Sequence, residues 1–173
     1  EYERKVVSAR HRRLIYPYEI VKMLTSDSPD ASGGEGSFEE FDLDPKSPRP
    51  VAQSVADRPY GQNRAAVVFG LIRTPTEKVP EGMLRVLVLS DPTMGMGALS
   101  APECDRLVAA FNLAESLCVP LEWGALSEWL ARLRRWHGEH LLRVKGILNL
   151  AGEAAPVAIH GVSLGLSSVE GVE

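Results

Sequence analysis

The stretch Ala65-Ala66-Val67-Val68-Phe69-Gly70-Leu71-Ile72 decides the fold class. It is a continuous apolar run of strand length, rich in β-branched and aromatic residues, as a strand buried on both faces requires. Downstream, Leu84-Arg85-Val86-Leu87-Val88-Leu89 reads as a second strand, and Thr74-Pro75-Thr76 and Val79-Pro80-Glu81-Gly82 between them carry turn chemistry. Ser100-Ala101-Pro102-Glu103 then announces a helix, with Ser as N-cap, Pro in the first turn and Glu at the capping-box position. Leu107, Ala110, Phe111, Ala114, Leu117 and Cys118 are its expected apolar stripe. Val119-Pro120-Leu121-Glu122-Trp123 reads as a further strand. The crossover helix favours parallel pairing of the last two strands.

Outward from this centre the pattern weakens. Arg10-His11-Arg12-Arg13 is a basic run read as a solvated face, and Pro17 suits the first turn of a helix with Ile20, Val21 and Leu24 on one side. From residue 25 to residue 64 the chain breaks down into turn chemistry. Asp27, Asp30, Glu35, Glu39, Glu40, Asp42 and Asp44 carry negative charge there, with no Lys or Arg among them. Only Phe38, Phe41 and Leu43 suggest a short strand in this acidic loop or linker. On the other side, Ser127 is placed to cap a helix over residues 128–137. Leu142, Val144, Leu148 and Leu150 alternate with polar residues, and Val157 and Ile159 start a return strand, which makes a hairpin. After Val162 the pattern fades and fraying is expected.

The chain has 173 residues, 45% of them hydrophobic, and a formal net charge of -4, which argues against generic nucleic-acid binding. Cys104 and Cys118 lie on one expected helix, both facing the core and about 21 Å apart, too far to pair. Two free thiols and a charged N-terminus without a signal-peptide core fit a cytoplasmic location, and no apolar run reaches the length of a membrane span. The chain opens at Glu1 rather than Met, as a fragment would. No Gly-x-x-x-x-Gly-Lys-Ser/Thr loop, zinc-type cysteine pair or Gly-x-Ser-x-Gly elbow is present, and His137 and His140 lack a suitably spaced third ligand. No catalytic residue, metal site or cofactor is therefore assigned. Asp91-Pro92-Thr93-Met94-Gly95-Met96-Gly97-Ala98-Leu99 is the one candidate ligand loop: glycines at a strand-to-helix turn let a ligand approach backbone amides.

Residues from about 60 to 127 resemble the carboxyltransferases of biotin-dependent acyl-CoA carboxylases. The resemblance rests on Asn63–Gly70, Thr74–Met83, Arg85–Thr93, Gly95–Arg106 and Pro120–Trp123, with Tyr16–Val21 fitting an upstream part. It implies a crotonase-type fold of β-β-α units, weak acyl-CoA binding at Gly95, Gly97, Ala98 and Ser100, and oxyanion stabilisation by backbone amides. The family's glycine turn after this stretch is replaced by Ala125-Leu126-Ser127-Glu128, so catalysis is expected to be lost. From about residue 127 to 162 the chain resembles instead the C-terminal domain of CobW-family GTPases, which act as metal chaperones or insertion factors. Trp129-Leu130, His137–Asn149 and Pro156–Val162 carry that resemblance. The nucleotide loop and cysteine metal motif of that family have no counterpart here. A gene fusion, a misassembled gene and a designed sequence would each explain such a join.

The expected architecture is α/β: a partial crotonase-type β-β-α unit followed by a helix and β-hairpin appendage. Three regions are expected: a poorly ordered 1–60, a carboxyltransferase-like 61–126 and a CobW-like 127–173. The leading functional expectation is a catalytically incomplete carboxyltransferase fragment. The alternatives are a small acidic inhibitor or antitoxin and a metal-chaperone accessory piece. In the acidic reading Asp27, Asp30, Glu35, Glu39 and Glu40 would steer a basic protein partner. Neither nucleic acid nor membrane is expected as a partner.

Overall fold

The computed structural model describes residues 1–26, 35–76, 78–117, 122–137, 143–154, 157–162 and 165–169. The chain is a mixed α/β protein that groups into two units. The first comprises Glu1–Asp30, Gly34–Thr74 and Leu84–Cys118; the second comprises Ala31–Gly33, Pro75–Met83 and Val119–Glu173.

In the first unit the apolar run becomes β3 (Val67–Thr74), and the next run becomes β4 (Met83–Ser90), whose first residue, Met83, belongs to the second unit. Two strands come from the stretch read as an acidic linker, β1 (Ser37–Leu43) and β2 (Ala52–Ser54). The sheet order is β2-β1-β3-β4, and β1 runs antiparallel to both β2 and β3. Phe41 stands opposite Ser54 on one side and Phe69 on the other. The close approach of β1 and β3 depends on Gly70, where a Cβ would run into the Glu39 carbonyl and the Phe38 ring.

Helices cover both faces of this sheet. Val68 and Phe69 are neighbours on a strand and so point to opposite sides. Val68 packs with Val6 and Ala9 of α1 (Tyr2–His11), with Tyr18 of α2 (Pro17–Thr25) and with Tyr16 just before it. Pro17 takes the first-turn position expected of it. Phe69 packs with Ala109 and Ala110 of α3 (Ala101–Leu117), joined by Phe41, Leu43, Val86 and Leu113. Residues 1–60, expected to be the least ordered, thus contribute two helices, two strands and the fully buried Tyr16, Tyr18 and Val21. Their polar composition hid this, because much of their burial is by tyrosine and by paired charge rather than by aliphatic runs.

The register of α3 differs from the expected stripe. Glu103, Arg106, Ala109 and Ala110 are buried, whereas Phe111 is 60% exposed and Cys104 is exposed. Two charged side chains with partners in the core turn the helix away from the face that hydrophobicity alone selects. Cys118 lies outside the described residues.

The second unit contains α4 (Trp123–His137), β5 (Arg143–Leu148), β6 (Val157–Val162) and β7 (Gly165–Val169). The expected strand ending at Trp123 is corrected: residues 118–121 are not described, and Trp123 opens a helix in which the Leu126 amide bonds the Glu122 carbonyl at 3.0 Å. Leu126 and Leu130, four apart, are buried in a cluster with Met83 and Leu150, and this helical spacing outweighs the β-propensity of one tryptophan. Ser127 is consequently not an N-cap; it sits inside α4 and its hydroxyl donates to the Gly124 carbonyl at 3.0 Å. The hairpin is present, with Arg143 opposite Val162 and Leu148 opposite Val157. Instead of fraying beyond Val162, the chain returns as β7, antiparallel to β6, with Gly165 opposite Val162 and Val169 opposite Ala158. A short Gly/Ser-rich strand has no readable pattern of its own and is defined by the ladder it joins.

Candidate functional site

The loop between β4 and α3 is held from below by a buried carboxylate. Asp91 is 0% exposed. It accepts hydrogen bonds from the Asn63 side-chain amide at 2.8 Å, the Thr93 amide at 2.8 Å and the Thr93 hydroxyl at 2.6 Å. Its own amide donates to the Ala66 carbonyl at 2.6 Å. Asn63 also donates to the Ala65 carbonyl at 3.0 Å, so the start of β3 and the end of β4 are tied together beneath the loop.

Above this anchor the chain makes three left-handed residues in succession, Gly95 (φ 52), Met96 (φ 56) and Gly97 (φ 73). Glycine meets this need at two of the positions without steric cost. At Gly97 a Cβ would also fall 2.5 Å from the Ser90 hydroxyl oxygen. The amides of Gly97 and Ala98 donate to the carbonyls of Met94 and Gly95, at 2.9 and 3.1 Å. The Ser100 amide donates to Glu103 at 3.0 Å. Of the four residues expected to meet acyl-CoA, Gly97, Ala98 and Ser100 therefore already use their amides inside the protein, and Gly95 stands exposed at the turn.

The start of α3 contains its own anion. One oxygen of Glu103 accepts the Ala66 amide at 2.9 Å; the other accepts both the amide and the hydroxyl of Ser100. This is the reach-back half of a capping box. The Ser100 hydroxyl, followed by the Ala66 amide, holds the Glu103 carboxyl down at about 2, against the opposing effect of burial. A group depressed in the folded state stabilises at pH values above its unfolded pKa and loses that contribution as pH falls through the folded one. The stability gap between the protein and its Glu103→Gln variant should therefore be full above the ordinary value of 4.5 and shrink steadily towards pH 2. Thermal melts across that range check it, and parallel curves for the two proteins would contradict it.

The acidic segment divides into surface and core. Asp27 and Asp30 lie outside the described residues. Glu35 and Glu39 are exposed, and Glu39 accepts the Ser54 hydroxyl at 2.5 Å. Glu40, expected among the partner-steering charges, is instead 3% exposed. It accepts the Tyr18 hydroxyl at 2.8 Å and the Arg58 guanidinium at 2.5 Å. Asp42, two residues on and so on the same side of the strand, takes Arg58 at 2.6 Å, Arg106 at 2.7 Å and the Leu43 amide at 2.8 Å. Burial works to raise the Asp42 pKa, but the Arg58 hydrogen bond, the Leu43 amide and Arg106 leave it below the ordinary value. Strand alternation foreshadowed a shared side for Glu40 and Asp42. Their cations, Arg58 and Arg106, come from distant sequence and gave no signal.

Around this ion cluster the four tyrosines form a chain of ring contacts. Tyr2 meets Tyr16 at 5.6 Å, Tyr16 meets Tyr18 at 5.5 Å, and Tyr18 stacks on Tyr60 at 4.7 Å. Burial, before any other cause, raises the pKa of each of these phenols. Among the described residues no group of three His, Cys, Asp or Glu side chains is placed to hold a metal ion. Also among them, no helix is long and apolar enough to cross a membrane.

Residues 116–170 match the family described as the cobalamin synthesis protein CobW C-terminal domain. This places the start of that region before the expected join near residue 127 and carries it past Val162 to include β7. The matched stretch corresponds closely to the Val119–Glu173 part of the second unit. No curated protein matches the chain, and nothing in these matches supports a carboxyltransferase domain over residues 60–127.

Proposed function

We propose that the chain is a binding module of the metal-chaperone type, which docks on a partner protein through its CobW-like C-terminal part and turns over no substrate itself. The family match over residues 116–170 carries this reading. The matched part has an α-helix and a three-stranded antiparallel sheet with β5 and β7 at its margins. Strands at the margin of a sheet can extend it across an interface by main-chain hydrogen bonds. The phosphate-binding loop needed for GTP hydrolysis has no counterpart in the sequence, so the nucleotide chemistry would belong to the partner. The test mixes the full chain with a CobW-family GTPase whose own C-terminal domain has been removed. Co-elution, with a dissociation constant tighter than about 100 μM by calorimetry, and a changed rate of GTP hydrolysis are the expected results. An absence of any complex would remove the proposal.

A second reading is a carboxyltransferase-like body retained without turnover. It draws on the way Asn63, Ala66, Asp91, Thr93, Ser100 and Glu103, all within the resembling stretch, bond to one another. Weak acyl-CoA binding at Gly95, Gly97, Ala98 and Ser100 belongs to this reading, as does the absence of oxyanion-forming turns. Exchange of label between malonyl-CoA and biocytin on the same preparation separates the two readings, since turnover would require a complete active site. The acidic inhibitor reading has less support, because Glu40 and Asp42 of its segment are committed to internal ion pairs.

A further inference from the structure

We infer that the C-terminal turn of α1 and the loop over residues 91–100 together form a surface for docking on an anionic lipid bilayer. The inference concerns the first unit and is independent of the C-terminal family match.

The first ground is charge. Arg10, His11, Arg12 and Arg13 are consecutive and all exposed. Arg13 is left-handed (φ 58), and the amides of Arg12, Arg13 and Leu14 bond back to the carbonyls of Ala9, Arg10 and Ala9. The run is thereby wound into one tight turn rather than spread along an extended chain. Arg10 approaches Glu19 at 4.0 Å with 72% of its side chain exposed, so that contact leaves it largely in water. Arg12 donates to the Pro92 carbonyl at 2.9 Å, which fixes the cationic turn beside the loop. Arg64, also exposed, follows the Asn63 that anchors Asp91. Asp91 itself is fully buried and presents no opposing charge at the surface.

The second ground is apolar exposure on the turn itself and on the loop that Arg12 holds through Pro92. Met96 is 83% exposed and Leu99 is 61% exposed, and Leu14, next to the arginines, is 40% exposed. Met96 also adopts a left-handed conformation that is unfavourable for a residue with a side chain. The loop thus accepts backbone strain to hold a flexible apolar side chain in water. A phosphate anion or nucleic-acid backbone would use the arginines and leave Met96 and Leu99 idle. A bilayer interface uses both: headgroups pair with the cations while the apolar side chains enter the acyl boundary. No membrane-crossing helix is needed for this. The overall charge of -4 opposes general attraction to an anionic surface, so attachment would be confined to this local face.

The full chain should co-sediment with phosphatidylcholine vesicles that contain phosphatidylglycerol and remain in solution with phosphatidylcholine alone. Added salt should weaken the binding. Arg10→Gln with Arg13→Gln should weaken it about thirtyfold, and Met96→Ser with Leu99→Ser should weaken it at least about tenfold through the lost apolar insertion. Arg12 is left intact because its hydrogen bond supports the loop. Unchanged circular dichroism would show that both variants remain folded. The proposal is overturned if anionic vesicles fail to bind, if neutral vesicles bind equally, or if either pair of substitutions has no effect in a folded protein. Binding of inorganic phosphate or duplex DNA as tightly as the vesicles, insensitive to Met96→Ser with Leu99→Ser, would also overturn it by reducing the surface to a simple polyanion patch.

Discussion

Arg58→Met should destabilise the first unit by about 3–5 kcal/mol, because it leaves the buried Glu40 carboxylate without its cation and Asp42 with one of its two. Arg58 is the only residue that bridges Glu40 and Asp42 among the described ion pairs. Its side chain is 15% exposed and theirs are 2% and 9%, so water cannot replace it easily. Asp42 would keep Arg106, but among the described residues Glu40 would keep only the Tyr18 hydroxyl. A large loss is expected from removing one partner, whereas removing both is milder, since no ion is then left buried alone. The double variant Arg58→Met with Glu40→Gln should accordingly lose less than Arg58→Met by itself. Chemical denaturation followed by tyrosine near-ultraviolet circular dichroism checks this, as all four tyrosines lie in the first unit and all three tryptophans lie in α4. A loss under about 1 kcal/mol, the range of exposed pairs, would show that the cluster is wetter than its geometry indicates.

Phe69→Ala should cost a similar amount, about 3–5 kcal/mol, by a different route. Phe69 is 0% exposed, lies near the start of β3 and packs against α3 through Ala109 and Ala110. Alanines on the facing helix leave the ring to fill the space, so truncation opens a cavity that its neighbours are too small to close. Its strand position also places it opposite Phe41 on β1. Urea denaturation with the same tyrosine signal measures the effect. A loss below about 1.5 kcal/mol, the range of volume-conserving substitutions, would mean that α3 closes down onto the sheet.

How much was legible depended on whether a residue's role followed from its sequence neighbours. The β3 and β4 runs, the reach of Glu103 back to Ser100, Pro17 in a first turn and the β5–β6 hairpin all depend on local spacing, and the structure contains each of them. The other half of the expected capping box is absent, since the Ser100 hydroxyl donates to the Glu103 carboxylate and the Glu103 amide bonds the Ser100 carbonyl. The strand expected over residues 119–123 rested on a few β-prone residues, and a helix starts at its last one. The acidic segment was legible as charge and as a short strand around Phe38, Phe41 and Leu43, but its interior half was not. Glu40 and Asp42 look like solvated residues until Arg58 and Arg106 arrive from elsewhere in the chain.

The sequence by itself determined the α/β class, the two long strands, the helix that follows them with its start, and the change of character towards the C-terminus. These follow from hydrophobic period, capping and turn chemistry, which act over a few residues. Only the tertiary structure decided which charges are buried, which face of α3 turns inward, and that the basic turn at residues 10–13 meets the loop at residues 91–100. Those outcomes depend on partners distant in sequence. The free energy of a charged side chain changes sign between core and surface according to whether such a partner is in reach.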